Sequence, residues 1–390
     1  MAALADKVLL LGSSQENELF VADAATGGQL YCFKNCRAAR FGVQVLPRTD
    51  HLVAVQDGKL AAHLWAWAKD MPVFKCHTAE RMGPTAVTSC GNFFFAGAQS
   101  GKVYVWDVKT GDLVMVWDAH YKSVAALALT SDDSHVITAG DDAVVHVWRL
   151  VDILDEPDVT ASFQQGITPV VSWTDHVLPV TSIHAGLGGV NGRIYTSSLD
   201  RTCKIWSLAS AQCLYSVTCP SFVNVCAADA LEHRLFMGCG NGKVYALDLN
   251  AAASAVTAAT ARILSATSGA AGGAVPWGPD ALLPDAFEGH EAAVTTMQVS
   301  DCGGFLVTGD EGGVVRVWDS LSRQSLRAIK LFKGKVSALM LLPRPRNLFH
   351  KVKVARQSTL EDGASLAPPL PVAPLKKYMN SPGAANGTDN

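Results

Sequence analysis

Histidines, glycines and cysteines are where chemistry would be sought in this chain, and each cluster lacks a part. HEAAV, opening at His290, carries the first histidine and the glutamate of a zinc-protease helix, but Val294 stands where the second metal-binding histidine belongs. The stretch also reads as a loop, so its ligands would not share a helix face. HAGLGGVNG, opening at His184, is glycine-rich as a phosphate cradle must be, yet Asn191 occupies the last glycine of G-x-G-x-x-G. A strand follows it instead of a helix. Of the ten cysteines only Cys32 and Cys36 fall close together, and no second pair supplies the spacing of a tetrahedral zinc site. They read as small apolar fillers, kept reduced. No G-x-S-x-G elbow occurs, and Asp107 and Asp319, each following a tryptophan, read as punctuation of a repeat. The expectation is a non-enzymatic chain without metal or cofactor.

Charge is more telling. The formal balance over 390 residues is −3, but ten Lys or Arg and no Asp or Glu lie between Leu321 and Leu360. The body is therefore acidic and the C-terminal end basic. Arg344, Arg346, Lys351, Lys353 and Arg356 form a one-signed stretch suited to an RNA backbone or an acidic partner, against the plainer reading of a solvated strand and loop. Beyond them LAPPLPVAPLKKYMN, with Pro368, Pro369, Pro371, Pro374, Lys376 and Lys377, is too proline-rich for a helix and reads as an extended segment docking on another protein. The closing SPGAANGTDN reads as a disordered end. MAALADKVLLLGSS holds only a four-residue apolar run, too short for a signal-peptide core, and no stretch is long enough to cross a bilayer. A nuclear or cytosolic protein is expected.

The elements that position these residues come from a repeat. GAQSGKVYVWD, GDDAVVHVWRL, SLDRTCKIWSL, GNGKVYALDLN and GDEGGVVRVWD rewrite one turn, one alternating strand and an aromatic or apolar end. Aligned on that end, the copies place Ala22, Trp67, Trp106, Trp148, Trp206, Leu247 and Trp318 in register. Four of the six separations fall at or near the period of roughly 40–45 residues of a WD40 propeller, whose unit is a four-stranded blade. Insert loops over 151–175 and 251–287, the second Ala-rich, account for the two long gaps. Within VVRVW, Val315 and Val317 face one way and Arg316 the other. A buried indole N–H must find an acceptor, since leaving it unpaired costs about 1–3 kcal/mol. His120, Thr138, Asp142 and Trp148 in the fourth unit, and His176, Thr196, Asp200 and Trp206 in the fifth, stand where a linked blade network would be built. The seventh keeps His290, Thr308 and Trp318 but has Gly312 at the acid's place, and the third has Ala96 and Ser100, so complete networks are expected in units four and five only. The first unit lacks one strand and the C-terminal side has one to spare, Val336 to Leu342. An all-β, seven-bladed ring over residues 1–343 is expected, its first blade closed by that strand, with a basic, then proline-rich, largely irregular extension over 344–390.

Two blocks carry a closer likeness. HYKSVAALALTSDDSHVITAGDDAVVHVWRLVDIL (His120 to Leu154) and DHVLPVTSIHAGLGGVNGRIYTSSLDRTCKIWSLASAQCL (Asp175 to Leu214) resemble the WD repeat-containing protein 18 family and its fungal and plant counterparts. The HAGLGG loop ahead of TSSLD is the most specific element, and EGHEAAVTTMQVS and PPLPVAPLKKY fall where that family has comparable segments. The resemblance implies a non-enzymatic nuclear subunit of the Rix-type complex of large ribosomal subunit maturation. It implies partners too: a proline-rich helical scaffold subunit, the midasin AAA ATPase, the pre-60S particle and, directly or through these, rRNA. It further implies support for removal of an internal transcribed spacer. Animal members carry a C-terminal coiled-coil helix, whereas no heptad pattern follows the proline-rich segment here.

Two other classes compete. A WD40 substrate receptor of a cullin-type ubiquitin ligase usually shows Trp-Asp-x-Arg at a blade's end, and WDVK, WRLV, WSLA and WDSL all miss the arginine. A hydrolase working in the ring's channel ranks lower, because the sequence offers no paired carboxylates and no activated nucleophile.

Overall fold

The computed structural model describes residues 4–154, 167–250, 276–277, 286–345, 348 and 371–378. Their strands follow the alternation in the sequence: in Val314–Asp319, Val315 and Val317 are buried while Val314 and Arg316 are half-buried. Seven sheets form, and together they make a ring of seven blades. Blade 2 is Ala38–Val45, His51–Gln56, Ala61–Ala66 and Phe74–His77, and blade 3 is Met82–Val87, Phe93–Ala98, Lys102–Asp107 and Leu113–Asp118. Blade 4 is Val124–Leu129, His135–Gly140, Val145–Arg149 and Val171–Trp173; blade 5 is Val180–Ala185, Arg193–Ser198, Thr202–Ser207 and Gln212–Thr218. Blade 6 is Val223–Ala228, Arg234–Cys239, Val244–Asp248 and Ala286–Phe287; blade 7 is Val294–Val299, Phe305–Asp310, Val314–Asp319 and Ser325–Lys330.

Blade 1 joins both ends of the chain. Its outer three strands are Lys7–Ser13, Glu18–Asp23 and Gln29–Lys34, and its innermost is Val336–Pro343, antiparallel to the first with Val8 opposite Leu342 and Leu10 opposite Met340. A sheet edge that would otherwise invite foreign strands is thereby paired. Apolar clusters fill the spaces between neighbouring blades; the one between blades 7 and 1 joins Leu9, Leu11 and Ala22 to Val315, Val317 and Val336.

Three details correct the sequence reading. Trp65, not Trp67, holds the register place in blade 2, since it lies opposite Leu52 as Trp148 lies opposite Val136. Trp67 sits just past the strand's end and donates its backbone N–H to Asp50. With two tryptophans two residues apart, and so on the same strand parity, spacing alone could not separate them. The insert loops are also shorter than expected: Val171–Trp173 is the outer strand of blade 4 and Ala286–Phe287 that of blade 6. Pro276–Trp277 adds a fifth, parallel strand to blade 5, and Leu150–Leu154 is a short helix. Residues 155–166, 251–275 and 278–285 of those inserts lie outside the described residues.

The innermost strands of all seven blades line a central channel of about 640 Å3. Phe41, which lines the channel, belongs to an extrusion that the sequence did not reveal. In blade 2 the pairing jumps from Ala38 opposite Gln56 to Val43 opposite Ala54, which throws Arg40 and Phe41 out of the ladder. Phe41 is left-handed, at φ 52°. Arg40 crosses to donate to the Asn224 carbonyl of blade 6 at 2.8 Å and stacks over Phe41.

Candidate protein-binding face

In each blade the loop entering the innermost strand and the turn between the second and third strands lie on one face, here termed upper. Three buried networks tie these two together. In blade 4 the Trp148 indole donates to Thr138 Oγ1 at 3.0 Å, Thr138 Oγ1 lies 2.9 Å from His120 Nε2, and His120 Nδ1 lies 3.1 Å from Asp142. Blade 5 repeats it: Trp206 to Thr196 at 2.8 Å, Thr196 to His176 at 2.8 Å, His176 to Asp200 at 3.1 Å. A neutral imidazole satisfies every member, with Nδ1–H donating to the carboxylate and Nε2 accepting from the hydroxyl that accepts from the indole. Burial alone would raise the pKa of Asp142, but the bonds from His120 and from the Val144 and Tyr121 amides hold it below its ordinary value. Asp200 is lowered in the same way: burial pushes up, and bonds from His176 and Thr202 push down harder.

Blade 7 holds a third complete network, which corrects the expectation of two. Trp318 donates to Thr308 at 2.8 Å, Thr308 lies 2.7 Å from His290, and His290 Nδ1 lies 2.7 Å from Asp310. Asp310, two residues before Gly312 at the end of its strand, supplies the missing acid. It also caps the Val314 amide at 2.8 Å, so it does both jobs of a turn aspartate. The sequence signal was present in the GDEGG turn, but the template spacing pointed past it.

The networks fix what the upper face presents. Asp142 accepts from the Tyr121 amide and Asp200 from the Val177 amide, each at 3.2 Å. Tyr121 is 99% exposed and Val177 82%, with Leu178, Leu199 and Phe222 also exposed around them. Large apolar side chains held outward on braced loops make this face the candidate for protein contact.

The lower face of the same sector is braced as well. The HAGLGG loop rests on blade 4, with Ser131 Oγ donating to the Leu187 carbonyl at 2.8 Å and accepting from the Gly189 amide at 3.1 Å. Asp132 accepts from the Val190 amide at 3.2 Å. Its carboxyl falls to about 2, because bonds from Thr130, Ser134 and the Ser134 and Val190 amides outweigh the upward push of burial. Gly189 needs to be glycine: its φ is 57°, and a Cβ would meet the Asp132 carboxylate. Toward blade 6, Arg193 pairs with Glu232 at 3.6 Å. Leu187 and Leu231 stand 64% and 72% exposed on this platform.

The remaining expected contact residues separate. Arg346, Lys351, Lys353, Arg356, Pro368 and Pro369 lie outside the described residues. The backbone N–H of Arg344 donates to Asp6. Pro371, Pro374, Lys376 and Lys377, expected as a contact for another protein, belong to a segment lying on blades 2 and 3 of this chain. In the channel, burial lowers His184 to about 4, and Ser182 contacts Cys226. Among the described residues no cluster of three or more His, Cys, Asp or Glu is placed to hold a metal.

Comparison with known proteins agrees with this architecture. The WDR54 family profile matches residues 52–162, and the WD domain, G-beta repeat, matches 167–207 and 283–319. WD repeat-containing protein 18 of Rattus norvegicus is 30% identical over 323 residues, 82% of this chain and 69% of the relative. The chain belongs to the WD repeat-containing protein 18 family. Pre-rRNA-processing protein IPI3 of Yarrowia lipolytica is similar at 30% identity over 79% of this chain and 69% of its own length. Protein ROOT INITIATION DEFECTIVE 3 of Arabidopsis thaliana is 28% identical over 80% of this chain. In this chain the blade 4–6 sector carries outward-facing apolar groups on both of its braced faces.

Proposed function

We propose that this chain is a non-catalytic scaffold subunit of a nuclear complex that matures the large ribosomal subunit and supports processing of an rRNA internal spacer. The reading is carried by its likeness, over most of the ring, to proteins named for pre-rRNA processing. A rigid ring with apolar groups pinned outward suits a part that joins others, because little side-chain or loop freedom is lost on docking. The partners in this reading are a proline-rich helical scaffold subunit, the midasin AAA ATPase and the pre-60S particle. Work takes place in the nucleolus and nucleoplasm.

The test is sedimentation of a tagged chain on sucrose gradients, with and without ribonuclease, and hybridisation for spacer-containing pre-rRNA after depletion. The tag is expected in pre-60S fractions, and spacer-containing precursors are expected to accumulate several-fold. A tag confined to the top of the gradient, with spacer levels unchanged, would overturn the reading.

A further inference from the structure

Blade 3 has a tryptophan without its hydroxyl. Ala96 stands ten residues before Trp106, where Thr138 stands before Trp148, so the indole N–H has no acceptor within its own blade network. The acceptor comes from far along the chain: Trp106 Nε1 donates to the Lys376 carbonyl at 2.8 Å. The segment around Lys376 is fitted to the cleft between blades 2 and 3 along its length. Ala373 N–H donates to the Val108 carbonyl at 3.1 Å and Lys376 N–H to the Gly111 carbonyl at 2.7 Å, both in the turn between the outer strands of blade 3. Leu375 N–H points at Cys76 Sγ, 3.1 Å away, and Lys376 Nζ pairs with Asp112 at 2.5 Å. The Leu375 side chain is buried among Cys76, Trp106 and Leu113, with Val372 packed beside it.

The cleft is shaped for this chain direction and these residue types. Gly111 has φ 72°, and a Cβ there would collide with the Pro374 carbonyl. Pro371 and Pro374 cannot donate, and the amides of Ala373, Leu375 and Lys376 are all three bonded to blades 2 and 3. Proline also holds the segment extended before it binds, which lowers the ordering cost. The ring, by contrast, is closed by Val336–Pro343 and does not need the segment for any strand pairing.

We propose that the cleft between blades 2 and 3 is a binding site for an extended Pro-x-x-Pro-Leu-Lys segment. Its ligand is this chain's own Pro371–Tyr378, which leaves and returns while the ring stays folded. The segment is a latch that completes the hydrogen bonding of blade 3 from outside.

Thiol labelling of the full-length chain tests this, because Cys76 lies beneath the latch and exposed Cys302 serves as an internal reference. With labelling mapped per cysteine, Leu375→Asp is expected to speed Cys76 labelling at least tenfold and leave Cys302 unchanged. A synthetic peptide spanning residues 368–380, added in trans, is expected to slow Cys76 again in a saturable way, while the same peptide carrying Leu375→Asp does not. Unchanged Cys76 labelling, or fast labelling that millimolar peptide fails to slow, overturns the proposal. Hydrogen exchange on the unaltered chain gives a reading that needs no variant. The amides of Ala373 and Lys376 are expected to exchange at least a hundredfold faster than those of Val103 and Val105 in the same blade, and equal rates overturn the latch.

Discussion

At the scale of single residues, the networks are held by geometry more than by spacing. His120, Thr138, Asp142 and Trp148 were legible because their offsets follow the repeat; Asp310 was not, because a carboxylate can reach the same imidazole from the strand end as from the turn. That difference makes a prediction. Thr308→Val keeps the side chain's shape but strands the Trp318 N–H and the His290 ring, and is expected to cost about 1–3 kcal/mol in urea unfolding. Asp310→Asn should also destabilise the ring. Gly312→Asp should bring no gain, because a new side chain at Gly312 meets the Asp310 carboxylate and sets two like charges together.

The same carboxylates set a pH dependence. Asp142 and Asp200 have pKa values lowered in the folded chain. A group lowered on folding binds fewer protons when native, so its contribution is full above the unfolded value of about 3.9 and is lost as pH falls below it. The ring is expected to lose stability steeply below about pH 4. In Asp142→Asn the urea midpoint should be lower at pH 7 and change less between pH 5 and pH 3 than in the unaltered chain. Parallel pH profiles would show that Asp142 carries none of the effect.

At the scale of elements, strand count was the informative quantity. A first unit short of one strand and a C-terminal side with one to spare could be balanced in only one way, and Leu10 opposite Met340 realises it. What could not be read were features that depend on what approaches from outside a unit: the short outer strands Val171–Trp173 and Ala286–Phe287, and the extrusion of Arg40 and Phe41. Two-residue and three-residue strands carry too few positions for alternation to register. The extruded pair breaks alternation and looks, in sequence, like one more polar interruption. Removing residues 336–390 should expose both the Lys7–Ser13 edge and the apolar cluster between blades 7 and 1. The expected outcome is a fall in melting temperature of more than about 10 °C or aggregation on expression, the larger because closing strands stabilise every blade at once. An unchanged melting temperature would mean the ring closes elsewhere.

At the scale of the whole molecule, the proposed scaffold role turns on which face of the ring would dock, and the two faces of blades 4–6 are braced by different groups. On the upper face the loops of Tyr121 and Val177 are tied to the network carboxylates through one backbone amide each. On the lower face Leu187 and Leu231 ride on loops cross-braced by Ser131, Asp132 and the Arg193–Glu232 pair. Docking against the lower platform therefore orders less, and more of the buried area survives as affinity. Leu187→Asp combined with Leu231→Asp is expected to reduce recovery in pre-60S fractions at least tenfold. Tyr121→Asp with Val177→Asp should reduce it less than twofold. Because all four side chains are exposed, neither pair should move the urea midpoint appreciably, which separates lost docking from lost folding. A reversed order of the two losses would place the docking surface on the upper face, where the His–Asp networks, and not the HAGLGG loop, would be the parts that position it.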